Sequence, residues 1–160
     1  FARGPDGPNG VPCGFERWHV DPSAQKVTRN TLDASPQEFP RIDERYFGQR
    51  YRHTWIMGQP SETVSNFVAE NKLYHHDLET GERKHFSFGT RMIGGEFIFI
   101  ARELSAPEGD GWLMGLVIDA KTQTTELQIF NALNIETGPI GRVHIPHRIP
   151  PGFHGNWISD

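Results

Sequence analysis

Cysteine is almost missing from this sequence: Cys13 stands alone among 160 residues. A lone thiol excludes an internal disulfide and fits a reducing compartment, so a cytoplasmic location is expected. Set in a loop rich in proline and glycine, Cys13 reads as an inert thiol. Long apolar runs are missing as well. No stretch approaches the roughly 20 residues that a membrane helix needs, so no membrane span is expected. Basic charge is not in excess either, because the formal net charge is -4. A nucleic-acid footprint would be basic and clustered, so no nucleic-acid partner is expected. Helical periodicity is scarce; Ser61 to Glu70 carries the best start signal, and it is weak. There is no G-x-S-x-G elbow, no Gly-rich phosphate loop opening a helix and no zinc spacing of cysteines. The first residue is Phe1 and not methionine. The true N-terminus is therefore expected upstream, with no targeting segment to judge.

What is present is turn chemistry. The 17 glycines and 12 prolines, with 22% charged residues, suggest strands and tight turns and not disorder. At 160 residues the chain is long enough for one core and too short for two ordinary domains. Residues 1–14 read as loop. Three hairpins follow. Phe15 to Val20 alternates, Asp21-Pro-Ser-Ala turns, and Lys26 to Leu32 alternates back. Asn71 to Leu78 returns through Glu79-Thr-Gly-Glu82 into Arg83 to Phe88. Trp112 to Ile118 returns through Asp119 into Thr125 to Phe130. Shorter strand candidates are Tyr51 to Met57, Glu96 to Ala101 and Ile140 to Ile145.

Each hairpin has a strand ending in aspartate, at Asp21, Asp77 and Asp119, which lie 56 and 42 residues apart. Propeller blades repeat at roughly 40 to 50 residues, and each uses four strands. About three blades cannot close a ring, because the open edges would expose unpaired strand groups and apolar faces. The expected fold is all-β, a piece of a larger β-propeller.

The chemistry-bearing stretch is the last, Ile145-Pro-His-Arg-Ile-Pro-Pro-Gly-Phe-His-Gly-Asn-Trp157. Pro150 and Pro151 fix φ and remove ladder donors, while Gly152 and Gly155 widen the backbone's options. Phe153 and Trp157 add bulk. The result should be a stiff, apolar segment presenting one imidazole, His154. That imidazole is either a satisfied buried residue or a metal ligand. Glu96 shares a strand face with Ile98 and Ile100. A carboxylate there needs a partner. It is either a salt bridge to a lysine or arginine, or the acceptor for the outer N–H of a metal-bound histidine. Glu38 opens Glu-Phe-Pro-Arg-Ile-Asp43, where the residues alone favour a surface pair with Arg41 or Arg45. Glu38 to Glu96 and Glu96 to His154 are each 58 residues, near one blade length. His144 and His147 form H-x-x-H, but on an extended strand positions three apart face opposite ways. His75 and His76 also diverge, and His19, His53 and His85 sit among polar residues.

The segment Arg148-Ile-Pro-Pro-Gly-Phe-His-Gly155 resembles the C-terminal signature of the carotenoid cleavage oxygenase family. Glu38-Phe-Pro-Arg-Ile-Asp43, Glu96-Phe-Ile-Phe-Ile-Ala-Arg102 and Glu108-Gly-Asp-Gly-Trp-Leu113 resemble the same family in the same order. Glu38 to Gln49, Tyr74 to His85 and Ala106 to Trp157 are most similar to the branch containing the lignostilbene dioxygenases. The likeness covers most of this chain but only the final third of such an enzyme.

The resemblance implies the C-terminal portion, about three blades, of a seven-bladed β-propeller. Residues 1–160 would then form a single partial domain whose N-terminal section is absent. It implies Fe(II) on the propeller axis, held by four histidines with no organic cofactor, and O2 used to split a C=C bond into two carbonyls. His154 would be one iron ligand. Glu96 and Glu38 would be two of the glutamates that orient ligating histidines, with Glu38 serving a histidine from the absent part. The implied substrate is a stilbenoid or phenylpropenoid, with an apocarotenoid as the alternative. A non-catalytic propeller scaffold is the alternative of another class. The implied partner is the missing N-terminal part of the same protein, and the 160-residue piece alone is expected to be inactive. His147 is the alternative ligand should His154 fail.

Overall fold

Aspartate-ended strands set three of the turns in this chain, and the structure, a computed structural model, describes residues 14–59 and 71–158. The loop through Cys13 and the helix signal at Ser61 to Glu70 lie outside the described residues. Three hairpins turn at the three aspartates. Asp21 Oδ1 accepts the Ala24 N–H at 2.9 Å. Asp77 Oδ1 accepts from the N–H groups of Glu79 and Thr80 at 3.0 and 3.3 Å. Asp119 Oδ1 accepts from Lys121 and Thr122 at 2.8 and 3.1 Å. A short carboxylate that bonds the backbone two and three residues on makes the turn locally favourable. In each case the residue four past the aspartate has positive φ: Gln25 at 50°, Gly81 at 75° and Gln123 at 55°.

Among the described residues ten strands form, with two three-residue 3-10 turns at Glu44–Tyr46 and Ile135–Thr137. Strands β1 (Phe15–Asp21) and β2 (Lys26–Asp33) make an antiparallel ribbon. Strands β3 (Gln37–Ile42), β4 (His53–Gly58), β5 (Asn71–Asp77) and β6 (Arg83–Gly89) make a four-stranded meander in chain order. Strands β7 (Met92–Ala101), β8 (Gly111–Asp119), β9 (Thr124–Asn131) and β10 (Gly141–Ile145) repeat that meander. The described residues thus hold two complete four-stranded sheets and a two-stranded third. Only β3 has no counterpart among the strands expected from sequence. A proline is tolerated there because β3 is an edge strand and Pro40 sits where its register slips, so no ladder bond is lost.

The core lies between the two four-stranded sheets. Trp55, Met57 and Leu73 from the first meet Phe97, Leu113, Val117 and Phe130 from the second. Trp55 stacks on Phe99 at 4.9 Å between centroids, and its Nε1 donates to Ala132 O at 2.8 Å. Phe88 and Phe130 pack around Phe97 at 5.8 and 5.5 Å. No helix among the described residues is long and apolar enough to cross a membrane.

Both first strands carry a bulge. The register slips between Glu38 and Arg41 in β3, and between Gly94 and Phe97 in β7. A bulge adds one unpaired residue, bends an edge strand and re-aims its side chains. In β7 the partner of Phe97 is Gly115. A Cβ at Gly115 would lie 2.8 Å from Glu96 O and 2.8 Å from the Phe97 ring. The glycine lets the bulged backbone approach. Gly115→Ala should therefore lower stability by about 1–3 kcal/mol, the usual cost of overpacking. Denaturant titration of the complete protein checks this, and an unchanged midpoint would refute it.

Candidate metal centre

The bulge in β7 turns Glu96 out of the ladder toward the chain that follows β10. That chain forms no further strand, as its prolines require. Its entry is fixed by the Ile149 N–H, which donates to Thr125 Oγ1 at 2.8 Å. Phe153 and Trp157 are largely exposed, so apolar packing does not frame the segment as the sequence suggested. Polar contacts frame it instead. His154 Nδ1 lies 3.2 Å from Glu96 Oε1, and the Gly155 N–H donates to Glu96 Oε2 at 2.8 Å. One carboxylate thus spans two consecutive residues. Phe39 meets the imidazole edge-on, with centroids 5.6 Å apart at 88°. Phe39 has φ of 59°, a left-handed conformation that costs a side-chain-bearing residue about 1–2 kcal/mol and turns its ring toward His154.

The Glu96 side chain is 6% exposed and the His154 side chain 72% exposed. With Glu96 as acceptor, we assign the proton to Nδ1, which leaves the Nε2 lone pair outward and uncommitted among the described residues. Glu96 also meets the other partner that its strand face called for: Arg41 Nη1 lies 3.7 Å from Oε1. The salt bridge and the histidine contact coexist.

Glu38 is placed differently. It is exposed and accepts only a 3.3 Å bond from Gln59 Nε2 among the described residues. It pairs with neither Arg41 nor Arg45. Arg41 turns to Glu44 and Glu96, and Arg45 to Asp43. Glu38 and Glu96 do occupy the first strands of successive sheets, each at a bulge. The second 58-residue interval has no such meaning, since His154 lies beyond the last strand.

Among the described residues no group of three or more His, Cys, Asp or Glu side chains could hold a metal ion. A metal held at His154 would need its other ligands from outside the described residues. His144 and His147 are exposed and stay apart from Glu96. His75 and His76 diverge as alternation requires, His75 Nε2 to His53 Nδ1 at 3.0 Å and His76 Nε2 to Gln37 Oε1 at 2.8 Å.

Sequence reasoning missed the burial of His53, which was read as lying in polar surroundings. His53 and His75 are both buried beside Trp55, and His75 stacks on the indole at 5.6 Å. His75 Nδ1 is buried without a hydrogen-bond partner among the described residues. The cheaper tautomer makes it the bare acceptor and His75 Nε2–H the donor to His53. Burial pushes His75 down from 6.5 to about 4, and also lowers His53 and His76. Between those values the unfolded chain binds protons that the fold excludes, so stability falls as pH drops from 6.5 towards 4. The loss should be on the order of 3 kcal/mol for His75. Denaturant titrations across that range check it, with His75→Gln expected to flatten the slope; parallel slopes would refute the assignment.

Comparison with known proteins places this geometry. The family model described as RPE65, retinal pigment epithelial membrane protein, matches residues 2–159. The chain belongs to this family of carotenoid- and stilbene-cleaving oxygenases. It is 35% identical to lignostilbene-alpha,beta-dioxygenase isozyme III of Sphingomonas paucimobilis, over 91% of this chain and 32% of that protein. The crystal structure of Pseudomonas brassicacearum lignostilbene dioxygenase superposes with a TM-score of 0.84 at 30% identity, covering 92% of this chain and 32% of that one. Cobalt-substituted Synechocystis apocarotenoid oxygenase gives 0.81 at 29% identity, covering 91% and 30%. The chain therefore spans about a third of the length of these relatives, and its strands form a section of the carotenoid oxygenase propeller.

Proposed function

We propose that these residues belong to an Fe(II) dioxygenase that cleaves the C=C bond of a stilbenoid or phenylpropenoid into two carbonyl products. The observation that carries this reading is the pairing of His154 Nδ1 with the buried Glu96 carboxylate, which leaves Nε2 outward. Metal-ligating histidines usually give their other N–H to such a carboxylate. The donor set fits: a neutral imidazole suits iron, and the carboxylate fixes its tautomer and direction. His154 would hold the metal with histidines from the remainder of the protein, and Glu38 would orient one of those. When bound, iron(II) supplies the redox chemistry that lets dioxygen react with an activated C=C bond. The residues present here hold the histidine, orient it and set Phe39 edge-on against it.

The preference for a stilbenoid rests on the greater identity to the lignostilbene relative, 35%. The partner proposed for this section is the remainder of the propeller.

In the complete protein, His154→Ala should abolish both iron content and cleavage. Glu96→Gln and Glu38→Gln should reduce them by roughly 10- to 100-fold, as loss of an outer carboxylate typically does. Metal analysis and product assays on a hydroxystilbene and an apocarotenoid check this. Full iron content in His154→Ala would overturn the ligand assignment and make His147 the next residue to test. Cleavage of the apocarotenoid alone would overturn the substrate class.

A further inference from the structure

We infer that Arg41 is the positioning residue for His154: its one guanidinium fastens the C-terminal segment to the first strands of both four-stranded sheets. The fastening follows from geometry alone. Its consequence for a metal rests on the reading of His154 as a ligand.

Arg41 leaves β3 at the C-terminal edge of the bulge, and its side chain is 19% exposed. Nη2 donates to Gly155 O at 3.2 Å and to Asn156 Oδ1 at 3.1 Å, and lies 3.1 Å from Glu44 Oε1. Nη1 lies 3.7 Å from Glu96 Oε1. Asn156 Nδ2 donates back to Glu44 Oε2 at 3.3 Å. Arg41, Glu44 and Asn156 thus close a ring of three side chains.

The residue after His154 is held at both poles. Glu96 takes the Gly155 N–H and Arg41 takes its carbonyl. With Nδ1 on the same carboxylate, the imidazole is fixed from two directions. Arg41 also supplies the positive charge that a 6% exposed carboxylate requires. Its partners are Glu96, the C-terminal segment and Glu44 of the nearby 3-10 turn, not the core between the sheets. Beside the β3–β4 ladder, Thr54 Oγ1 donates to the Arg41 carbonyl, and a side-chain substitution at Arg41 leaves both in place. A lysine carries the charge but not the planar fork that spans two acceptors.

The test uses the complete protein with Arg41→Met, Arg41→Lys and Asn156→Ala. Chymotrypsin cleavage at Phe153 and Trp157 is followed on metal-free protein. Cobalt(II) absorption and the rate of Fe(II) loss to a chelator are followed on loaded protein. Arg41→Met should raise cleavage by on the order of tenfold, because lost bonds to a charged group shift the local opening equilibrium. It should speed Fe(II) loss by roughly 10- to 100-fold and alter the cobalt bands, as outer partners of a ligand do. Arg41→Lys should restore little, and Asn156→Ala should give part of the cleavage effect without touching β3. Wild-type cleavage rates and cobalt bands in Arg41→Met overturn the proposal. If Arg41→Met fails to fold, wild-type cleavage in Asn156→Ala overturns it. Faster cleavage in variants of a protein that takes up no cobalt keeps the fastening and sinks the metal reading instead.

Discussion

A carboxylate on an apolar strand face has to be paired, and the pairing of Glu96 organises this end of the molecule. Its side chain is 6% exposed, so leaving it unpartnered would cost several kcal/mol at the scale of buried charge. Three groups answer it: the Arg41 guanidinium, the His154 imidazole and the Gly155 N–H. They come from β3 and from the segment after β10, over a hundred positions apart in sequence. One buried charge thereby joins two sheets and the terminal segment.

The bulges make this possible. Regular alternation would send Glu96 with Ile98 and Ile100 toward a single face. The slip between Gly94 and Phe97 takes Glu96 out of the ladder, and Gly115 opposite makes room for it. The matching slip in β3 sets Pro40 off the ladder, puts Phe39 in a left-handed conformation and delivers Arg41 beyond it. Apolar packing then holds both strands in place. Met57 and Phe97 are buried in the common core, one from each sheet, close in register to the two bulges. The site is polar, but its precision comes from the hydrophobic layer behind it.

Much of this was legible in sequence because turns and alternation are local. The aspartates at 21, 77 and 119 mark all three hairpins, since the same residue that ends the strand also bonds the turn. His154 and Glu96 were legible as a pair from the family motifs. Arg41 was not. Local reasoning offered it to Glu38, three positions away, and the bulge instead sends it to Glu96 and Asn156. Strand β3 has no clear local signal, since its bulge breaks the alternation and nothing local says that a strand with a proline lies at an edge. The burial of His53 and His75 also depends on which sheet covers them. Both stand near charged residues in sequence, yet in space they face Trp55 and each other.

The two halves of this section differ in what makes them stable. Between the sheets the fold rests on apolar area, with Trp55, Phe97 and Phe130 fully enclosed. Beyond β10 it rests on a few polar bonds to a segment whose side chains are exposed. Segments of that second kind open at a lower cost than the core does. On the proposed reading a metal would bind only the arrangement in which His154 is fastened, and binding to one arrangement alone stabilises it in proportion to ligand concentration over Kd. Arg41 and Glu96 reduce the ordering left for the metal to supply. On that reading the division accounts for the contacts behind an exposed histidine: a ligand would have to meet the propeller axis already aimed, from a segment that no sheet among the described residues encloses.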